Sequence, residues 1–233
     1  MNAVSSYLQE RFLDADSFAR ACGVSTETLA RWIAQGLVPA PAYRVDASGT
    51  MHSAVFGARE AQAPEGQWFN PHATAWVRRV RHALATCGDD PMTTAQLLRS
   101  GFREHYLRAL RDLHVSEGPI PGLVTAVQEF DEAAFDTQFP DVWHHFLAGT
   151  YGLCVARPTD EAHIAEKEVT QLRLTAATDN GTRRVYSADE AAVVRRLIAR
   201  YVDVSMPFSP VEYASSSRKR LVEDVLIRLN HSL

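Results

Sequence analysis

Apolar residues recur at helical spacing along most of the chain, and this periodicity predicts a mainly α-helical fold. Residues three and four positions apart lie on one face of a helix, so a stripe of them marks the side that packs inward. The clearest stripe consists of Leu98, Phe102, Tyr106, Leu110 and Leu113. The predicted helices lie near residues 98–113, 121–137, 140–148, 159–176, 194–202 and 221–229.

Helix-start signals support these segments. Three stretches carry Ser or Thr followed three positions later by Glu or Gln, which is the spacing of a capping box. The pairs are Thr93 with Gln96, Ser187 with Glu190, and Ser209 with Glu212. Asn70 precedes a proline, as an N-cap often does. Gly149 is predicted to end the helix near residues 140–148.

Strand signals are confined to residues 43–69, where Tyr, Val, Trp and Phe alternate with Gly and Ser, and a small β-hairpin is predicted there. The turn residues Cys-Gly-Asp-Asp-Pro-Met at 87–92 suggest a domain boundary. We therefore expect an N-terminal module over residues 1–88 and an all-helical domain over residues 89–233.

Composition excludes several classes of protein. Hydrophobic residues make up 46% and charged residues 22% of 233, which is typical of a folded globular chain. No apolar run is long enough to span a bilayer, and the first residues lack the layout of a signal peptide. Three widely spaced cysteines imply no disulfide framework. We expect a cytoplasmic protein without membrane contact.

The sharpest local pattern lies at residues 14–38. Phe18 and Cys22 share one helical face, Gly23 allows a tight turn, and Leu29 and Trp32 supply the apolar face of a second helix. Two short helices joined in this way are typical of a helix-turn-helix. The pair could equally serve packing or protein contact.

The stretch DSFARACGVSTETLARWIAQGLVPAPAYRV, with its Gly36-Leu37-Val38-Pro39 exit, resembles the start of a MerR-type winged helix-turn-helix domain. The resemblance covers residues 5–86 and implies a second helix that reads the major groove, followed by a wing. Such domains are followed by a long coiled-coil dimerisation helix, and no sustained heptad repeat follows here. The DNA-contacting residues that the resemblance implies are Thr26, Thr28, Arg31, Gln35, Arg44, Arg78 and Arg79.

Charge argues against strong DNA binding. The net charge is −4, and the presumed reading face carries a single arginine, Arg31, beside Glu27. A dedicated nucleic-acid binder normally presents a basic surface, because neutralising phosphates supplies much of the affinity. Arg78 and Arg79 could also be part of an ordinary solvated helix face.

The whole chain also resembles an uncharacterised bacterial family found beside natural-product biosynthesis genes. The segment Phe146 to Cys154, which contains Gly-Thr-Tyr-Gly-Leu-Cys, and the late Ser215-Ser-Ser-Arg218 segment carry this resemblance. It implies a genomic neighbourhood and no particular reaction.

Residues that could bind a metal or act as a nucleophile lie in or near this segment. His144, His145, Cys154 and His163 match no standard zinc spacing, so no metal is predicted. Cys154 lies between Leu153 and Val155, which suggests a core residue more than a nucleophile. No glycine-rich phosphate loop occurs, and no cofactor is predicted. A ligand pocket, if present, is expected to involve His145, Tyr151, Cys154 and Arg218.

Two functions remain open from the sequence. The first is an accessory or partner-binding protein of a natural-product biosynthetic locus, whose helical domain could carry an unrecognised enzymatic step. Its partner could be a biosynthetic enzyme, a carrier protein or a small molecule. The alternative is a DNA-binding transcription regulator with a ligand-sensing C-terminal domain.

Overall fold

The structure is a computed structural model, and it describes residues 2–231. The chain is predominantly α-helical, with one small antiparallel sheet. The helices are α1 (Ala3–Arg11), α2 (Ala15–Cys22), α3 (Thr26–Ala34), α4 (Thr74–Thr86), α5 (Pro91–Glu117), α6 (Glu132–Leu147), α7 (Thr150–Cys154), α8 (Glu161–Ala177), α9 (Ala188–Val204) and α10 (Asp224–His231). The strands are β1 (Leu13–Asp14), β2 (Tyr43–Val45), β3 (Thr50–Ser53), β4 (Gly57–Glu60) and β5 (Gly66–Phe69).

The two short helices predicted around Gly23 are present. Asp14 caps α2 by accepting a hydrogen bond from the Ser17 amide, and Ser25 caps α3 through the Thr28 amide. Gly23 has φ +67°, a left-handed conformation that glycine adopts without strain. Local capping therefore sets both ends of this turn.

The sheet is larger than the predicted hairpin. Five antiparallel strands lie in the order β1-β5-β2-β3-β4, and β1 comes from the segment between α1 and α2. A two-residue strand has no alternation to reveal it in the sequence. Strand β1 pairs with β5, with Leu13 opposite Phe69. The Phe69 ring stacks on Phe18 of α2, with ring centroids 4.5 Å apart.

The predicted stripe on α5 is confirmed, since Leu98, Phe102, Tyr106 and Leu110 are all buried. Its start differs from the prediction. Asp90 is the N-cap and accepts hydrogen bonds from the amides of Met92 and Thr93, with Pro91 in the first helical position. An aspartate followed by proline starts the helix before the Thr93 capping box can.

The region between α5 and α8 also differs from the prediction. Residues 118–131 form turns with an isolated bridge between Val124 and Phe130, and Asp131 caps the helix that follows. That helix, α6, runs through the exposed Pro140 to Leu147, so one helix replaces the two that were predicted. Gly149 ends α6 as predicted: it directly follows the C-cap Ala148, has a left-handed φ of +80°, and its amide donates to the Phe146 carbonyl at 3.2 Å.

Of the two capping boxes predicted in the last part of the chain, one is confirmed and the other is wrong. Ser187 and Glu190 exchange both hydrogen bonds at the start of α9. The Ser209–Glu212 pair caps no helix, because the Glu212 carboxylate is buried and accepts a hydrogen bond from the Ser209 hydroxyl at 2.9 Å. A π-helical turn, Lys219–Glu223, precedes α10.

One hydrophobic core joins the sheet region to the helices. It extends from Val4 to Phe208, and Trp76 of α4 lies fully buried near its middle. The Trp76 indole donates to the carbonyl of Leu37 at 2.7 Å and packs on Phe146 of α6, with ring centroids 4.6 Å apart. A second, smaller core forms between α8, α9 and α10. Across residues 2–231, no helix combines the length and apolar character that crossing a bilayer requires.

Candidate ligand site

A cavity of about 310 Å³ opens where the sheet region meets the helices. Val55 and Phe56, in the turn between β3 and β4, line it together with Phe208. Its polar wall is formed by His145, Tyr151, Cys154, Lys167, Glu168 and Arg220. The sheet region and residues 145–220 therefore line the same cavity. Its volume lies at the lower end of the range for small-molecule sites.

The short helix α7 positions Tyr151 and Cys154. They are three residues apart and so lie on one face of the helix, and both are buried. The position of α7 depends on Gly149, since a Cβ there would lie 2.5 Å from the Ala40 carbonyl oxygen and 2.8 Å from that of Pro41. The Gly-Thr-Tyr-Gly segment thus fits against the chain that leaves α3.

Three of the four residues predicted for a pocket line this cavity, namely His145, Tyr151 and Cys154. Arg218 points elsewhere: its guanidinium donates to the Ser205 hydroxyl at 3.2 Å and to the Val202 carbonyl at 2.8 Å, at the end of α9. Arg220, two residues later, lies at the cavity instead.

Lys167 is the most unusual group in the wall. It is one of two lysines in the chain, and its side chain is only 6% exposed. Its ammonium donates to the Glu168 carboxylate at 2.8 Å. A buried ammonium is tolerated only when it is paired in this way.

The protonation states of this cluster follow from burial and charge. Burial lowers the pKa of Lys167, whereas negative charge on Cys154, Glu168 and Tyr201 raises it, and the net direction is upward. At neutral pH, where Cys154 and Tyr201 are protonated, the Glu168 carboxylate is the neighbour that favours the ammonium. Burial raises the pKa values of the Cys154 thiol and the Tyr151 phenol. At neutral pH the wall therefore presents an ammonium, a neutral thiol and a neutral phenol.

Further polar groups surround the cluster. The Tyr201 hydroxyl of α9 and the Ser217 hydroxyl are 2.6 Å apart, and Ser217 lines the cavity. Gln171 of α8 also lines the cavity, and its Oε1 is buried without a hydrogen-bond partner in the part of the chain that the structure describes. A buried acceptor in this state costs about 1–3 kcal/mol, which a water or ligand donor at this wall would recover.

The DNA-contacting residues implied by the MerR resemblance differ in exposure and in the direction they face. Arg31 and Gln35 on α3, Arg44 on β2 and Arg78 on α4 are exposed. Thr26 and Thr28 of α3 are partly buried. Arg79 faces a different direction, since its guanidinium forms a two-pronged ion pair with the buried Glu161 of α8 and lies over the Trp76 ring.

A second depression of about 400 Å³ lies between α5 and α8 around this ion pair. It is larger and more open. Arg79 is paired there with Glu161, and His105 lies 3.6 Å from the same carboxylate.

Sequence reasoning missed Lys167. It lies three residues after Ile164 and seven before Leu174, so it falls within the buried stripe of α8. A lysine in an apolar stripe was the available signal. Arg220 belongs to the basic C-terminal part of the sequence, whose arginines could either dock on the acidic residues of the chain or define a pocket for an anionic ligand. Within residues 2–231, no three His, Cys, Asp or Glu side chains are grouped so as to hold a metal ion.

Comparison with known proteins gives one match. The chain matches no curated protein and no solved structure. The model of a family of unknown function, DUF6058, matches residues 98–230, which include α6 to α9 and the polar wall of the cavity. Since this match covers more than half of the 233 residues, the chain belongs to the DUF6058 family.

Proposed function

We infer that this protein binds a small molecule in the cavity beside Lys167 and acts as an accessory protein of a natural-product biosynthetic locus. The cavity carries the first part of the proposal, because the buried side chains of Tyr151, Cys154 and Lys167 line a partly open space together with Val55 and Phe56 of the sheet region. The resemblance to proteins encoded beside biosynthesis genes supports the second part.

The protonation of the cluster favours binding over covalent chemistry. A cysteine nucleophile needs a thiolate, whereas burial raises the pKa of the Cys154 thiol. An ammonium with a raised pKa, as at Lys167, is a fixed positive charge and a poor general base. The wall is therefore suited to hold a ligand.

A thermal-denaturation screen tests the proposal. A diverse set of metabolites is added to the purified protein, and ligands of the folded state raise the melting temperature. Ser215 is exposed at the cavity, so Ser215→Trp should obstruct it and abolish the shift. Ala214, its exposed neighbour outside the wall, gives the matched control Ala214→Trp. Shifts that survive Ser215→Trp, or their absence for every compound, would contradict the proposal.

A role with a protein partner has its own test. The partner proposed is a biosynthetic enzyme or carrier protein of the same locus. Titration calorimetry of the purified chain against those proteins, with and without a ligand from the screen, should give a saturable signal. Heats of dilution alone, against every protein of the locus, would remove the accessory role.

A transcription regulator is the second candidate. It is favoured by the α2–turn–α3 arrangement and by the exposed Arg31, Gln35, Arg44 and Arg78. Because Arg79 is paired with Glu161, few arginines remain for phosphates, and we expect weak binding to random duplex DNA at physiological salt. Fluorescence anisotropy that showed tight, sequence-selective binding would rank the regulator first.

A further inference from the structure

The charges around the cavity do not cancel. Lys167 and Arg220 contribute two positive charges, and Glu168 contributes one negative charge. Glu168 is already hydrogen-bonded to the Lys167 ammonium. Among the residues that the structure describes, no carboxylate forms an ion pair with Arg220. One net positive charge therefore remains among the residues that line this partly open cavity.

The position of Arg220 is built into the fold. It lies in the π-helical turn Lys219–Glu223, and such turns are frequent at functional sites. Gly181, at φ +83°, touches this turn so closely that a Cβ would lie 2.5 Å from the Arg220 carbonyl oxygen and 3.0 Å from its Cγ. Glycine at this position allows the two segments to meet, which fixes where the Arg220 side chain begins.

The rest of the wall is divided between hydroxyl and apolar groups. Ser217, whose hydroxyl is paired with that of Tyr201, lies three residues before Arg220 and also lines the cavity. Phe56 and Phe208 pack edge to face, with centroids 5.8 Å apart, and give the cavity an aromatic side. A ligand would meet a cation and a hydroxyl together with aromatic rings.

We propose that the cavity binds a small organic monocarboxylate, with its carboxylate near Arg220 and Lys167 and its hydrocarbon part against Phe56 and Phe208. This inference rests on the proposed function. A guanidinium matches the two oxygens of a carboxylate with two parallel hydrogen bonds. A single uncompensated charge suits a monoanion better than a phosphate dianion. The volume of about 310 Å³ is at the lower end for small-molecule sites, which suits a short-chain or single-ring acid.

The test compares acids with their neutral analogues. Butyrate, hexanoate, octanoate, benzoate and phenylacetate are each titrated by calorimetry at neutral pH beside the matched primary amides. At least one acid should bind at a concentration of about 1 mM or below, and its amide should bind at least about tenfold more weakly.

Three variants assign the effect to the cavity. Arg220→Gln should weaken binding of that acid by about tenfold, and Arg220→Lys should retain part of the affinity. Arg196, an exposed arginine of α9 outside the cavity wall, gives the control Arg196→Gln, which should bind like the parent. Both positions are exposed, so each variant should keep the parent's circular dichroism spectrum.

Two results would overturn the inference. The first is equal binding of acids and amides, or no acid bound at about 1 mM. The second is an equal loss in Arg196→Gln and Arg220→Gln, which would indicate general surface charge. If the metabolite screen finds a neutral ligand that Ser215→Trp abolishes and Ala214→Trp retains, the inference fails while the proposed function stands.

Discussion

Glu212 shows how one residue can connect distant parts of this chain. Its carboxylate is buried and accepts hydrogen bonds from Tyr43 of β2 at 2.8 Å, from Ser53 of β3 at 2.8 Å and from Ser209 at 2.9 Å. Tyr43 in turn contacts the Tyr7 hydroxyl of α1 at 3.2 Å. The sheet, the first helix and the segment after α9 therefore meet at a single charged group.

Glu212→Gln should change how stability depends on pH. Burial raises the pKa of Glu212 above 4.5 in the folded protein despite its three donors. Its protonated form therefore favours folding, and this contribution is complete below pH 4.5 and is lost as pH rises through the folded pKa. A glutamine side chain at this position cannot ionise, so the variant should gain stability relative to the parent over that rise. Urea unfolding at several pH values measures the free energy of unfolding of the variant and the parent. A difference between them that stays constant with pH would contradict the prediction.

Glu190 provides a control, because its pKa is shifted in the opposite direction to that of Glu212. The Ser187 amide and Arg183 lower its pKa to about 2, so its carboxylate favours folding above pH 4.5 and that contribution is lost as pH falls. Glu190→Gln should therefore lose stability near neutral pH and resemble the parent in acid. The two variants together separate burial from capping as causes of pH dependence.

Trp32 tests the packing of α3. Its side chain is buried, as the spacing from Leu29 predicts, and it belongs to the same core as Phe18 and Cys22. Trp32→Ala should lower the free energy of unfolding by about 3–5 kcal/mol, the usual loss for a large buried side chain. Gln35→Ala, at an exposed position of the same segment, should change it by less than about 0.5 kcal/mol. Thermal melts in which both variants matched the parent would mean that Trp32 does not contribute to the core.

Among the elements, α7 and the turn before it fix the junction between the sheet region and the helices. The Ala40 amide donates to the Leu147 carbonyl at 2.8 Å, and the Asn70 side chain donates to the Gly152 carbonyl at 3.2 Å. Gly149 allows the backbones to approach this closely. The Gly-Thr-Tyr-Gly segment, which carries Tyr151 of the cavity wall, is thus also a packing motif.

Gly149→Ala should be strongly destabilising. The new Cβ would meet two backbone oxygens that cannot rotate away, and the left-handed backbone adds about 1–2 kcal/mol of strain. Gly57→Ala is the matched control, because Gly57 also has a positive φ and a Cβ there would have nothing within 4 Å. Denaturant unfolding should show a larger loss for Gly149→Ala. Equal losses would indicate that the backbone strain alone accounts for the effect.

The sequence predicts these elements where local rules decide. The stripe of α5, the Gly23 turn, the Ser25 cap and the Ser187 capping box all depend on residues within one or two turns. Prediction failed where another residue nearby caps the helix, since Asp90 and not Thr93 is the N-cap of α5. It also failed where long-range packing decides, as for β1 and the burial of Lys167.

At the scale of the whole molecule, the two halves share their buried groups. Trp76 of α4 contacts Phe102, Trp143 and Phe146, which lie on α5 and α6. Arg79 of the same helix neutralises the buried Glu161 of α8. The family match begins at residue 98, within α5, so the stretch that defines the family lacks several of these partners.

Residues 89–233 expressed alone should therefore fail to fold as they do in the full chain. The fragment would expose Phe102 and Phe146, remove the Arg79 partner of Glu161, and remove the chain that packs on Gly149. A large exposed apolar face exceeds what a marginally stable domain tolerates. Circular dichroism should show no cooperative transition near the melting temperature of the full chain, and adding residues 1–88 as a second fragment should restore it. A fragment that melts cooperatively at the parent's temperature would instead support the boundary predicted near residues 87–92 and make the two halves independent domains.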